Sequence, residues 1–166
     1  MAGPPQATWT APEAPAGPAP GVRFAGHGSR LGAYLIDVVI QIGVGIAVSF
    51  IVGLLLLSGS GNDGAGGGIA ALGVVLGVVG YFLFSLVYFP WFWSRGGQTP
   101  GMKAVEIRVV RDADGGPVSV GAAIMRLIGF WISSFVLYIG FAWILVDARR
   151  RGWADLLAGT CVVEAD

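Results

Sequence analysis

Three long apolar runs alternate with polar segments along this chain. They cover residues 31–57, 69–93 and about 122–146. Each exceeds the roughly 20 apolar residues that a helix needs to cross a bilayer. The pattern therefore predicts an all-α membrane protein, a bundle of about three transmembrane helices.

The polar segments between and after these runs carry a strand pattern. Residues 104–110 alternate between apolar and polar side chains, and residues 160–163 form a short β-branched run. These are the patterns of strands, and the two segments could pair. We therefore expect a short cytoplasmic β-like connection beside the helices. Pairing requires both segments to lie on the same side of the membrane.

Positive charge predicts the orientation. Arg23 and Arg30 precede the first run, and residues 58–68 between the first two runs contain neither Lys nor Arg. Basic residues concentrate on the cytoplasmic side, so we expect a cytoplasmic N-terminus. The connection over residues 94–121, with four basic residues, then lies inside. A single crossing by the third run would leave the three arginines at 149–151 outside, against the rule.

The third run has two interpretations. Its length suits a single crossing and is too short for two, and a single crossing is our expectation. The alternative is a bent or re-entrant helix, which would keep both flanking segments on one side. Arg126 early in the run, and the possible break points at 133–134 and Gly140, favour this alternative.

Composition supports the membrane assignment and excludes several functions. Of the 166 residues, 12% are charged, against about 25% in ordinary soluble domains. The formal net charge of zero gives no reason to expect a nucleic-acid partner. One cysteine, Cys161, and one histidine, His27, leave no disulfide, metal cluster or cofactor to expect. Because His27 lies outside the apolar runs, a Ser/His/Asp hydrolase is implausible, and we expect no enzyme.

The first 22 residues form a separate segment. They are rich in Pro, Ala and Gly, which suits neither a helix nor a core. They lack the basic start and apolar stretch of a signal peptide. We expect a disordered tail before a membrane domain over residues 23–166. The alternative is a polyproline ligand or display arm.

One face of the first helix carries a polar stripe. Arg30, Tyr34, Asp37 and Gln41 follow helical spacing. A carboxylate inside a membrane span costs about 2.5–3.5 kcal/mol on insertion scales, so Asp37 invites a functional interpretation as a cation or proton site. The structural alternative pairs Asp37 with an arginine. The candidate partners are Arg126 and the arginines at 149–151.

The second run contains small residues near one face. Gly73, Gly77 and Gly80 have spacings that let helices approach closely. We expect packing against the first helix, with homodimerisation as the alternative.

Several linked motifs resemble those of the RDD family of small membrane proteins. That family is named for an arginine before its first helix, an aspartate within it and an aspartate near the end, here Arg30, Asp37 and Asp155. The stretches that carry the resemblance read SRLGAYLID at 29–37, GQTPGMK at 97–103, IRVV at 107–110 and RGWADLLAGT at 151–160. The resemblance covers about residues 26–163.

The resemblance implies about three spans in a bacterial plasma membrane, with a biochemical role that is largely undefined for the family. Our leading hypothesis is cation or proton transport through a site formed by Arg30, Asp37 and Asp155. Three helices enclose little volume, so this hypothesis implies a homo-oligomer or larger membrane complex in the lipid bilayer. The alternative is a non-catalytic structural or accessory subunit, in which the same charges hold the helices together.

Overall fold

The computed structural model describes residues 17–58, 64–136 and 139–165. The predicted Pro-rich tail covers residues 1–22, and its first 16 residues lie outside the described part of the chain. Of the loop predicted over 58–68, residues 59–63 are also outside. The second helix begins at Gly64, so the later part of that loop is helical.

Two long apolar helices dominate the fold. Helix α1 spans His27–Ser58 and helix α2 spans Gly64–Gly96. Both are long and apolar enough to cross a membrane. Most of their large apolar side chains are exposed, as lipid-facing side chains would be.

The two helices pack antiparallel over most of their length. A Cβ on Gly73 would lie 2.9 Å from Leu55 Cδ1, and one on Gly77 would lie 2.5 Å from Val52 Cγ2. The absent side chains thus allow α2 to approach α1 closely. Gly80 has no such neighbour within 4 Å, so it adds nothing to this contact.

A small cap sits at the end of the helices where α1 begins and α2 ends. It contains helix α3 over Pro100–Ala104, strand β1 over Ile107–Arg111, helix α6 over Trp153–Ala158 and strand β2 over Thr160–Glu164. The strands pair antiparallel, with Val109 opposite Val162, as the sequence predicts. Residue 104, expected at the start of the strand, belongs to α3 instead.

The segment before α1 joins the same cap. The backbone N–H of Ala25 donates to Val162 O at 3.0 Å, and that of Glu164 donates to Arg23 O at 2.9 Å. Phe24 forms a β-bridge with Val163. The chain entering α1, the connection after α2 and the C-terminal segment therefore lie together at one end of the helix pair.

The third apolar run does not form one straight helix. Helix α4 spans Val120–Phe135, helix α5 spans Ile139–Ala142, and a 3₁₀ turn follows over Trp143–Leu145. The direction changes by 112° between α4 and the Ile139–Leu145 segment. Residues 137–138 between them lie outside the described part of the chain.

The third run therefore forms a bent pair of helices in place of one continuous helix over residues 122–146. Both flanks of the bent pair join the two-stranded sheet of the cap, through β1 and β2. Glycines permit the close packing that this requires. A Cβ on Gly129 would lie 2.5 Å from Ala154 Cα in α6, and one on Gly140 would collide with Ser133.

Candidate functional site

Asp155 is the centre of a buried charge cluster. It lies in the first turn of α6, and its side chain is 3% exposed. Arg30 Nη1 donates to Asp155 Oδ2 at 3.1 Å, and Arg126 Nη1 donates to Oδ1. The Gly152 N–H and the Thr160 hydroxyl donate to the same carboxylate, both at 3.2 Å. One side chain therefore connects α1, α4, α6 and β2.

The two arginines make further contacts that fix their positions. Arg30 Nη2 donates to Val162 O at 3.2 Å, and Arg126 Nη1 donates to Thr160 Oγ1 at 2.8 Å. The Arg126 guanidinium also lies 4.9 Å from the ring centroid of Trp93, a cation–π distance. The cluster is thus packed as well as charge-paired.

The electrostatics keep Asp155 ionised. Burial alone would raise the pKa of its carboxyl group, but the charges of Arg126 and Arg30 outweigh burial and hold the pKa below its ordinary value. Because the folded-state pKa is the lower one, this group contributes stability above about pH 4. That contribution is lost as the pH falls through the lowered pKa.

Asp37 has different hydrogen-bond partners from Asp155. Its carboxylate is buried and accepts hydrogen bonds from Tyr88 Oη at 3.0 Å, Thr99 Oγ1 at 2.5 Å and Gly101 N at 2.9 Å. Among the described residues no basic side chain forms an ion pair with it. Arg126, a candidate partner in the structural alternative, binds Asp155 instead.

The connection between α2 and β1 is shaped to receive Asp37. Thr99 is the N-cap of α3, accepting from Met102 N at 3.2 Å, and Pro100 opens the helix. A Cβ on Gly101 would lie 2.8 Å from Asp37 Cγ. A Thr-Pro pair is a helix-start signal, so the sequence could have predicted the cap. No pattern in the sequence predicts that Thr99 and Gly101 bind Asp37.

Flanking residues hold this connection against β1. Gln98 Nε2 donates to Ile107 O at 3.0 Å. Gly97 has a φ of 71°, in the left-handed region that favours glycine. A Cβ there would lie 2.5 Å from Val109 O. The GQTPG stretch is therefore a rigid turn that docks on Asp37 from one side and on β1 from the other.

The polar stripe of α1 is divided among several partners. Gln41 Oε1 accepts from Ser85 Oγ at 3.1 Å, and the Gln41 carbonyl accepts from Tyr81 Oη at 3.4 Å. The Tyr34 ring lies 6.1 Å from the ring of Phe141 in α5. Helical spacing thus places these residues on one face of α1, but Gln41 contacts α2 and Tyr34 contacts α5.

The three arginines at 149–151 form ion pairs and hydrogen bonds at the surface of the cap. Arg149 and Arg151 both bind Asp112, at 3.1 and 2.9 Å, and Arg151 also binds Asp147. The hydrogen bond from the Arg151 side chain is the main reason that the pKa of Asp147 lies below its ordinary value. Arg150 donates to backbone carbonyls before α1. The expected alternative, pairing of this triplet with Asp37, is wrong.

Reactive and metal-binding groups are sparse in this arrangement. Burial raises the pKa of the Cys161 thiol to about 12, so it stays protonated and a poor nucleophile at neutral pH. Within residues 17–58, 64–136 and 139–165, His, Cys, Asp and Glu side chains form no group of three that could hold a metal ion.

The two aspartates line a common cavity of about 430 Å³. Arg30 and Arg126 also line it, together with aromatic and aliphatic side chains from α1, α2, α4 and α5. The site thus has two polar regions, one around Asp155 and one around Asp37. They are joined by an apolar cavity.

Comparison with known proteins agrees with the motifs. Residues 24–159 match the model of the RDD family. Two curated relatives, each described as "Proline-rich antigen homolog", come from the CDC 1551 / Oshkosh and H37Rv strains of Mycobacterium tuberculosis. Both are 27% identical over 77 residues, a match that covers 43% of this chain and 32% of the relative. The chain thus spans about a third of the length of these relatives. No solved structure matches it. Because the family match covers most of the chain and includes all three signature residues, this protein belongs to the RDD family.

Proposed function

We propose that this RDD family membrane protein is a non-catalytic structural or accessory subunit whose signature charges fasten the cap to the membrane helices. The observation that carries the proposal is that protein donors engage both oxygens of both aspartates. Asp37 accepts three hydrogen bonds from α2 and α3. Asp155 accepts four, and two of these come from arginines. Such partners stabilise a buried carboxylate by joining elements that are distant in sequence.

The donors around Asp37 support a structural role over ion coordination. A bound metal cation needs several oxygen ligands. The groups that face the Asp37 carboxylate are two hydroxyls and an N–H, and all three point their hydrogens at it. A metal ion would have to displace them and release the cap from α1.

Cation or proton transport through Asp37 is the second candidate. It is favoured by the absence of a basic partner for Asp37 among the described residues, and by the position of Asp37 on the cavity wall. In this candidate a proton or cation takes the place of one donor. A homo-oligomer or larger membrane complex would complete the path.

Asp37→Asn separates the two candidates. The amide keeps one acceptor oxygen but directs an NH₂ group at hydrogen-bond donors. We therefore expect a loss of about 1–3 kcal/mol in unfolding free energy, with lower membrane levels. Thermal unfolding of the purified full chain and cation or proton flux in reconstituted vesicles are the measurements. Asp114→Asn, at an exposed ion pair with Arg111, is the control and should change neither.

The transport candidate predicts a different result. Wild-type vesicles should show pH- or salt-dependent flux, and this flux should disappear in an Asp37→Asn protein with unchanged stability. That outcome would overturn the structural proposal. Flux that is absent in wild type, with a destabilised variant, supports it.

We also propose a bacterial plasma-membrane location with two full crossings and both termini cytoplasmic. The cap gathers Arg23, Arg30 and the arginines at 149–151, whereas the sequence that joins the opposite helix ends, residues 58–68, contains no Lys or Arg. This agrees with the positive-inside rule. It also removes the conflict that a single crossing by the third run creates. The mycobacterial relatives support a bacterial source.

A C-terminal reporter tests this topology. We expect a fluorescent protein fused after residue 166 to be bright, because it stays in the cytoplasm, and an alkaline phosphatase fused there to be inactive. A phosphatase inserted within residues 59–63 is the matched control and should be active. An active phosphatase at the C-terminus would mean that the third run crosses the membrane.

A further inference from the structure

The cavity beside the charge cluster has mainly apolar walls. It lies between α1, the end of α2, α4 and the α5 turn, and its volume is about 430 Å³. This is within the usual range for small-molecule sites. Its apolar walls include side chains from each of these elements: Leu31, Phe89, Phe130, Phe141, Ile144 and Leu145.

Four hydrogen-bond donors on residues that line this cavity have no protein acceptor. They are Arg30 Nε, Arg126 Nε, Trp93 Nε1 and Ser133 Oγ. Trp93, Arg126 and Ser133 are at most 3% exposed, so bulk water does not reach them freely. Buried donors are normally paired, and four unpaired donors around one cavity indicate that an acceptor belongs there.

The two carboxylates of the cavity wall are already engaged by other donors. The oxygens of Asp155 are engaged by Arg30, Arg126, Gly152 and Thr160. Those of Asp37 are engaged by its own three donors. The lining charges of the two arginines and two aspartates cancel formally, so the excess of donors, and not the net charge, selects the ligand. Acceptor oxygens fit this excess and a cation does not, and anionic oxygens fit best because two of the four donors belong to guanidinium groups.

We propose that this cavity binds an amphiphilic anion, a molecule with a carboxylate or phosphate head and an apolar body. The head accepts from Arg126, Ser133 and their neighbours, and the body lies against Phe130 and Phe141. Water alone would leave unfilled the apolar part of the cavity, which lies against Phe130 and Phe141. The donor atoms are covered, so binding requires a rotation of the Ser133 side chain, which has no hydrogen bond to break.

Ser133→Ala is the direct test, because it removes one unpaired donor without breaking a hydrogen bond. Ser134→Ala is the matched control, since that exposed hydroxyl donates to Phe130 O of its own helix. The probe is laurate, titrated into the full chain in lipid nanodiscs. Dodecanol and dodecyltrimethylammonium serve as neutral and cationic analogues.

We expect laurate to bind more tightly than either analogue, and Ser133→Ala to weaken laurate binding about tenfold. Arg126→Lys, which retains the charge but loses Nε, should weaken it as well. Ser134→Ala should have no effect. Because Ser133 Oγ has no partner to lose, a purely structural role predicts unchanged binding and unchanged or higher stability in Ser133→Ala.

Native mass spectrometry distinguishes the two sources of the anion. Retention of phosphatidylglycerol over phosphatidylcholine, reduced in Ser133→Ala, would identify a lipid phosphate. Laurate binding without lipid retention would identify a free carboxylate. Equal binding of all three twelve-carbon probes, or no difference between Ser133→Ala and Ser134→Ala, would overturn the proposal.

Discussion

Asp155→Asn is expected to remove most of the folded protein from the membrane. In the wild type, Asp155 neutralises one of two buried arginines whose side chains are 9% and 4% exposed. The amide leaves both guanidinium groups without a counter-charge at this position. Breaking a buried ion pair by removing one partner costs about 3–5 kcal/mol. A small domain with a total stability of about 5–15 kcal/mol loses a large share of it.

Thermal unfolding in detergent, followed through tryptophan fluorescence, and the membrane level of the full chain measure this loss. The control is Asp114→Asn, whose partner Arg111 is half exposed. Exposed ion pairs contribute about 0–1 kcal/mol, so this variant should resemble wild type. Similar stabilities for the two variants would show that the Asp155 cluster does not hold the fold together.

Gly101→Ala is expected to detach α3 from α1. The new Cβ would lie 2.8 Å from Asp37 Cγ and 2.9 Å from Oδ1, and it would also collide with the Ala33 carbonyl. The main chain of a membrane helix cannot move aside, so α3 must shift. That shift breaks the hydrogen bonds from Thr99 and Gly101 to a buried carboxylate. Overpacking and the unpaired carboxylate together should cost about 3 kcal/mol or more.

Gly96→Ala is the matched control for this change. Gly96 ends α2 a few residues earlier, and a Cβ there meets nothing within 4 Å. We expect a change within about 0.5 kcal/mol. Trypsin cleavage after Lys103 provides a second measurement, because cleavage requires the backbone of α3 to unfold, which a released α3 does more readily. Slow cleavage and wild-type stability in Gly101→Ala would contradict the docking of α3 on Asp37.

The sequence by itself determined the membrane class, the two long helices and the pairing of two strands. Apolar length and residue alternation are local properties, so the runs at 31–57 and 69–93 predict α1 and α2 directly. The alternation in the polar connection likewise predicts β1. The family motifs added Asp155 to Arg30 and Asp37 as one signature.

Only the tertiary structure decided how the signature is connected. Arg30 and Asp37 share a helix face, yet Arg30 binds Asp155, 125 positions away, and Asp37 binds the turn that contains Thr99. The bend in the third run also belongs to the tertiary structure, where the direction changes by 112° and the strands on either side of the run pair with each other. Helical periodicity fixes which side chains share a face. The choice of partner depends on which distant element packs against that face, and no local pattern encodes it.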